Sequence, residues 1–279
     1  MHPLANHLIQ LQELTLIKDE QKITIGTEGH LEQLNENIRG MTEKLPHDIK
    51  VKFDKLHKKD HIVIAPVSAG ICTVCAMRLP ISLVQAVRIG REILDCPNCA
   101  RMLYFPEAAP QWIKEAPRRG EPRKAGVSRF SSHTLMVPRL ESEDTDGVIR
   151  ELAYKMESEG FVDKAEKLVE SALRREAILS TAFDHGLAFP HVRGVEGGGL
   201  ALALGLSPKG IKFGGVERPL TKIVFFMVIP TTASAFYLKL LAGLTETFMK
   251  PDNRKAVLAE KEPDKLWKAL VRVTKITIK

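Results

Sequence analysis

Apolar residues recur three and four apart through Leu31, Leu34, Ile38, Met41 and Leu45. This is the seam spacing of a helix lying lengthwise on another helix, a coiled-coil pattern. Leu4, Leu8, Leu11, Leu14 and Ile17 carry the pattern upstream, and Ile49, Phe53 and Leu56 carry it past Pro46. Gly26 and Gly29 weaken the upstream helix. Proline, in contrast, is tolerated in a first helical turn, where the N–H it lacks would have no intrahelical partner. The pattern predicts an antiparallel helical hairpin over residues 1–61 that turns near Lys44 to His47. The same spacing also fits a plain piece of helical bundle.

Beyond the hairpin the period shortens. Ile62, Val63, Ile64, Ala65 and Val67 form a β-prone run leading into Cys72. Ile93 and Leu94 lead into Cys96, and Met102, Leu103, Tyr104 and Phe105 follow Cys99, so short strands frame the cysteines. Pro106 to His133 is rich in Pro, Gly, Arg and Ser without periodicity and reads as a linker. Helix and strand patterns then alternate. Asp144 or Thr145 can cap a helix with Val148, Ile149, Leu152, Ala153 and Met156 on one face, ended by Gly160. Asp163 with Glu166 resembles a capping box ahead of Leu168, Val169, Ala172 and Leu173. Leu200 to Leu206 and Lys222 to Ile229 read as central strands, and helical patterns surround Tyr237 to Phe248, Asp252 to Ala259 and Pro263 to Val273. The expected chain is multidomain: an N-terminal α-helical hairpin at 1–61, a small ribbon at 62–105, a linker at 106–133, and at 134–279 an α/β domain with a mixed sheet flanked by helices.

Composition narrows the function classes. The 279 residues are 44% apolar and 27% charged, with a formal charge of +7, an ordinary soluble composition. Residues 1–133 hold 19 basic and 15 acidic groups and the remainder 22 and 19, so neither half is a strongly basic module. The densest patch, Arg118, Arg119, Arg123, Lys124 and Arg129 against Glu121, fits a solvated linker or a short phosphate-backbone contact. The start lacks the basic and apolar order of a secretory signal, and no run approaches the roughly 18 apolar residues of a span. A cytoplasmic protein without membrane insertion is expected.

In that reducing compartment, Cys72-x2-Cys75 and Cys96-x2-Cys99, 20 residues apart, read as a metal site more readily than as disulfides. Two residues between cysteines let each pair grip one edge of an ion from a tight turn. Four thiolates then close a tetrahedron around structural Zn2+ with no open position. Redox chemistry of the paired thiols is the alternative. With Ile62 to Val67, Leu79-Pro80 and the run Cys96-Pro97-Asn98-Cys99-Ala100-Arg101-Met102-Leu103-Tyr104, this third resembles a bacterial arrangement of a coiled-coil hairpin followed by a C4-type zinc ribbon. The resemblance implies binding or scaffolding, with nucleic acid a suggested partner, and the hairpin offers a surface for homo-oligomers.

The run Gly186-Leu187-Ala188-Phe189-Pro190-His191 carries another resemblance. It is similar to the G-[IV]-A-[IF]-P-H signature of type-2 IIA domains of the sugar phosphotransferase system, the fructose, mannitol and nitrogen-regulatory group. The similarity continues through Arg175 to Thr181, Ser207 to Phe213, Phe225 to Pro230 and Leu238 to Leu244. It implies a phosphotransferase-type phosphocarrier in which His191 accepts a phosphoryl group from an HPr-like donor and passes it to an acceptor or regulated protein, while Arg175 steadies the phosphoryl oxygens. Neutral imidazole is a competent nucleophile near neutral pH, and a planar guanidinium fork matches phosphoryl oxygens. This role needs a ring that solvent and donor can reach. The family's second histidine is matched by Tyr237, which can donate a hydrogen bond but not become a cation. Asp184 stands where glycine is common, and His185 is a candidate neighbour that could supply the missing imidazole or be a surface residue. Two functions remain open: a relay or signalling phosphocarrier whose zinc ribbon docks a partner, and a non-phosphorylated scaffold whose hairpin and ribbon contact nucleic acid or protein.

Overall fold

The computed structural model describes residues 3–25, 31–106, 125–195, 199–213, 219–230 and 234–278. Gly26, Gly29 and the basic residues Arg118, Arg119, Arg123 and Lys124 lie outside them. The chain divides into two compact units, Met1–Ala109 with Thr231–Leu238, and Pro110–Pro230 with Lys239–Lys279.

The first unit opens with helices α1 (Pro3–Ile25), α2 (Glu32–Glu43) and α3 (His47–Lys59). A break between helices falls at Lys44 to Pro46, with Pro46 immediately before α3, where the spacing places the turn. The helix that packs on α2 is α1 and not α3, so the antiparallel pairing expected across that turn is not the one formed. Strand β1 (Ile64–Ser68) follows, then β2 (Ile71–Cys72), helix α4 (Ile81–Ile89), β3 (Leu94–Asp95) and β4 (Met102–Tyr104). The sheet order is β2-β1-β4-β3, with β1 parallel to β4 and the other pairs antiparallel.

The helices are not an arm separate from this sheet. Leu8, Leu11, Leu45 and Phe53 share one apolar cluster with Val63, Ile64 and Met102. Burying two leucines is worth about 3–6 kcal/mol, a large share of ordinary domain stability. Gln12 adds a polar tie: its Oε1 accepts from the Val63 N–H at 2.6 Å and the Ile64 N–H at 2.9 Å. The expected boundary at residues 61–62 therefore runs through a common core.

In the second unit, residues 125–133, read above as linker, are part of the fold. Val127 is buried, the Ser131 hydroxyl donates to the Leu202 carbonyl at 2.6 Å, and the Leu202 N–H donates to Phe130. Strand β5 (Met136–Val137) leads to helix α5 (Thr145–Ser158), capped by the Asp144 carboxylate, which accepts from the Gly147 N–H at 2.7 Å. Helix α6 (Ala165–Ile178) starts differently from the expected capping box. The Ala165 N–H donates to Glu157 at 3.0 Å, and Glu166 instead accepts from Arg150 and Tyr154.

Strands β6 (Ala182–Phe183), β7 (Leu187–Ala188), β8 (His191–Val195), β9 (Ala201–Ile211) and β10 (Thr221–Pro230) complete the sheet. Its order is β5-β9-β10-β7-β6, with β8 also paired to β10. The pairing is mixed: β10 is antiparallel to β9 and parallel to β7 and β8. Helices α7 (Ser234–Met249), α8 (Pro251–Leu258) and α9 (Pro263–Thr274) follow, and α5, α6 and α9 pack on strands. This is the mixed sheet with flanking helices expected from the pattern.

Candidate functional site

Two chemically distinct sites stand out. The first is built from two copies of one backbone turn. The Ala76 N–H donates to the Cys72 carbonyl at 2.8 Å, and the Ala100 N–H donates to Cys96 at 2.9 Å. In each turn the first cysteine's own N–H closes on the residue five positions ahead, Met77 or Arg101. Ala76 and Ala100 both adopt φ 58°, the left-handed twist that turns the chain back so that the next carbonyl, of Met77 or Arg101, meets the first cysteine's N–H. The four sulfurs all lie within 4.8 Å of one another, with Cys72 to Cys99 at 3.8 Å and Cys75 to Cys96 at 3.6 Å. A tetrahedron of Zn–S bonds of about 2.3 Å has edges of about 3.8 Å, so the donor set fits zinc.

Burial pushes the Cys72 thiol up to about 12. Burial raises Cys75 as well, but hydrogen bonds from the Asn98 side chain and the Met77 backbone outweigh it and draw Cys75 down to about 6. A bound cation displaces the protons these thiols otherwise share. Arg101 supports the site from behind: its Nε donates to the Ile62 carbonyl at 2.9 Å, its guanidinium pairs with Asp60, and its charge and that of the Cys99 thiolate attract. Asn98 and Arg101 were not singled out as functional from sequence. The available signal was their position, inside and just after the second cysteine pair.

The second site lies along β10. Strands β7 and β8 are one parallel strand interrupted at Phe189-Pro190. The Phe189 N–H turns away to the Thr181 carbonyl at 3.1 Å, and the Pro190 carbonyl accepts from Met227 at 3.0 Å. Proline cannot donate to a ladder, so pairing resumes at His191 opposite Met227. There Nδ1 lies 3.0 Å from the Phe189 carbonyl. A carbonyl only accepts, so Nδ1 carries the proton and the lone pair of the neutral ring sits on Nε2. The Phe189 carbonyl thus fixes the tautomer, a role invisible in the side-chain sequence.

Contrary to the open ring expected, His191 is only 2% exposed and Arg175 5%. Arg175 stands in the last turn of α6, which packs on β8, and its Nη1 donates to the Leu179 carbonyl at 2.8 Å. Tyr237 lies in the first turn of α7 and is fully buried. His185 is not a neighbour of His191. Leu187 pairs with Ile223 and His191 with Met227, so four residues of β10, about 13 Å, separate the two pairing points, and His185 precedes Leu187. Asp184 and His185 are both exposed at that far end, which takes the Asp184 carboxylate away from His191.

The model of the family described as phosphoenolpyruvate-dependent sugar phosphotransferase system, EIIA 2, matches residues 130–273. The chain belongs to this family. A C4-type zinc ribbon family matches residues 71–103, so an EIIA type-2 domain is fused to an N-terminal zinc ribbon, and Cys72, Cys75, Cys96 and Cys99 form its structural zinc site. The EIIA domain is 27% identical over 124 residues to the 2-O-alpha-mannosyl-D-glycerate-specific EIIABC component of Escherichia coli (strain K12), covering 44% of this chain and 19% of that one. It is 23% identical over 128 residues to the fructose-specific EIIA component of Haloferax volcanii, covering 46% and 83%. The chain thus spans about a fifth of the first relative's length. Among solved structures, the nitrogen regulatory protein IIA-Ntr from Neisseria meningitidis is similar at 19% identity, with a TM-score of 0.47, over 52% of this chain and 98% of that one. IIA mannitol from Escherichia coli is similar at 16%, with a TM-score of 0.44, over 50% and 97%. The family relationship supports a phosphoryl-relay or regulatory IIA-like role. Among the described residues no helix is long and apolar enough to cross a membrane.

Proposed function

We propose that this chain is a cytoplasmic phosphocarrier or regulatory IIA protein whose His191 accepts a phosphoryl group from an HPr-like donor and passes it to an acceptor or regulated protein. The hydrogen bond from Nδ1–H to the Phe189 carbonyl carries this reading, because it leaves Nε2 as the nucleophilic nitrogen. The P–N bond to the donor's histidine, protonated on its other ring nitrogen, breaks as the P–Nε2 bond forms. The donor leaves as neutral imidazole, and the His191 ring, keeping its Nδ1 proton, takes up the positive charge. Arg175 steadies the equatorial oxygens. Residues 125–278 carry this chemistry and residues 3–106 dock the partner through the zinc ribbon. With the ring buried, the rate scales with the fraction of molecules in which Nε2 is exposed.

The test is incubation of the full chain with phosphoenolpyruvate, enzyme I and HPr, followed by intact mass measurement. One acid-labile phosphoryl group on the wild type and none on His191→Ala is expected. Absence of the label, or equal labelling of the variant, rejects the relay.

The burial of both His191 and Arg175 favours a second reading, in which the IIA fold is a non-phosphorylated binding domain and the hairpin and ribbon contact protein or nucleic acid. A steep fall of DNA or RNA affinity with salt supports the nucleic-acid form, because each neutralised phosphate releases counterions. Absent binding counts against it.

A further inference from the structure

The register that separates His185 from His191 sets it beside a hollow of about 520 Å³ at the start of β10, within the size range of small-ligand sites. His185, Lys222, Arg254 and Lys255 are its charged or titratable lining, Leu220 and Leu258 are among its apolar walls, and no acidic residue lines it. Among the described residues the Lys222 and Lys255 ammoniums and the His185 ring have neither ion-pair nor hydrogen-bond partners. Arg254 is held in place, its Nη1 donating to the Phe248 and Met249 carbonyls. Asp184 and Asp252 adjoin the lining residues in sequence but do not face the hollow.

The backbone around this hollow is built at a cost. His185 adopts φ 65°, a left-handed conformation that crowds its Cβ against the following carbonyl oxygen. Gly186 follows at φ 74°, and a Cβ there would meet the Leu220 carbonyl at 2.9 Å. At Gly210 a Cβ would meet the Leu220 Cβ at 2.6 Å. The two glycines let the chain close around Leu220, which stays half-exposed at the hollow, while His185 is presented on its lining. Strain of this kind in a side chain bordering a cavity marks functional sites.

We propose that this hollow binds a small oxyanion, phosphate or carboxylate, carried on an apolar body. Cations without partners around a common concavity raise the local concentration of anions. The leucine walls offer burial but no side-chain hydrogen bonds, so the body attached to the oxyanion is hydrocarbon or aromatic. The site lies at the opposite end of β10 from the His191 pairing point and does not depend on phosphorylation there.

Amide and imidazole shifts of the zinc-loaded full chain, in physiological salt, test this with four probes: phenyl phosphate, benzoate, inorganic phosphate and benzyl alcohol. Saturable shifts at Gly186, Lys222, Lys255 and the His185 ring are expected with phenyl phosphate or benzoate, and whichever binds more tightly identifies the head group. Inorganic phosphate binds more weakly and benzyl alcohol does not saturate. Lys222→Met with Lys255→Met, both exposed positions, lowers the affinity about tenfold, or about 1.4 kcal/mol, because two exposed charge contacts are lost together. His191→Ala leaves the affinity unchanged. No saturation by about 10 mM, shifts confined to His191 and Phe189, equal binding of the alcohol, or an undiminished double variant would each overturn the proposal.

Discussion

Replacing Arg101 with glutamine is expected to weaken zinc retention by about 10- to 100-fold, the usual cost of losing a residue that supports a metal ligand, or about 1.4–2.7 kcal/mol. The magnitude has a structural origin. Four thiolates around a divalent ion leave a net negative centre, and the Arg101 guanidinium, whose charge interacts with Cys99, offsets it. The same side chain is only 13% exposed. Its loss strands the Ile62 carbonyl, which now accepts at 2.9 Å, and the carboxylate of Asp60, the residue that ends α3. The assay is competition between the zinc-loaded full chain and a chromophoric chelator, with far-UV helicity as the control for folding. Arg101→Lys should fall between wild type and glutamine, because an ammonium keeps the charge but not the fork that reaches the Ile62 carbonyl and the Asp60 carboxylate at once. Zinc retention by Arg101→Gln within about twofold of wild type, with helicity unchanged, refutes the reasoning.

Two further outcomes follow from local geometry. Ala76→Gly and Ala100→Gly should each raise stability by about 0.5–1 kcal/mol, since glycine relieves the left-handed strain at φ 58° less its own entropic cost, and a thermal melt of the zinc-loaded protein reads this as a higher Tm. His57, stacked on Phe53, has its pKa lowered from 6.5, chiefly by burial, with His61 and Lys18 adding to that and Asp19 and Asp54 opposing it. A depressed folded-state value means the unfolded chain binds the proton more tightly. Its contribution is therefore complete above about pH 6.5 and is lost as the pH falls through the folded-state value. The drop in Tm from about pH 7.5 to about pH 5.5 should be smaller in His57→Gln than in wild type, and an equal or larger drop contradicts the sign.

Much of this molecule could be read from local patterns. The two cysteine pairs, the run into His191 and the strands at Leu200 to Leu206 and Lys222 to Ile229 are contiguous signals whose chemistry does not depend on distant residues. The turn before α3 was legible because Pro46 acts on its own neighbours. What escaped depends on register or on pairing across the chain. Gln12 and the Val63 N–H are 51 positions apart, and no helical period announces that an amide on α1 will serve a strand. The short spacing between His185 and His191 suggested proximity, but a parallel strand carries the chain straight along β10, so six residues become distance instead of contact. Residues 125–133 looked like linker because irregular backbone has no periodicity even where side chains such as Val127 are buried. At the start of α6 the Ala165 N–H is served by Glu157 on the preceding helix, a partner that no local cap motif announces. The concealment of the His191 ring is likewise a property of packed elements and has no sequence signature.

The apolar cluster joining Leu8 and Leu11 to Val63, Ile64 and Met102 limits how this region can be dissected. A fragment cut between α3 and β1 would leave greasy surfaces on both pieces, so neither the helices nor the metal-binding knuckles can be studied faithfully in isolation. Residues 3–106 hold both sides of that seam, so a cut placed inside them parts surfaces that the whole chain keeps covered.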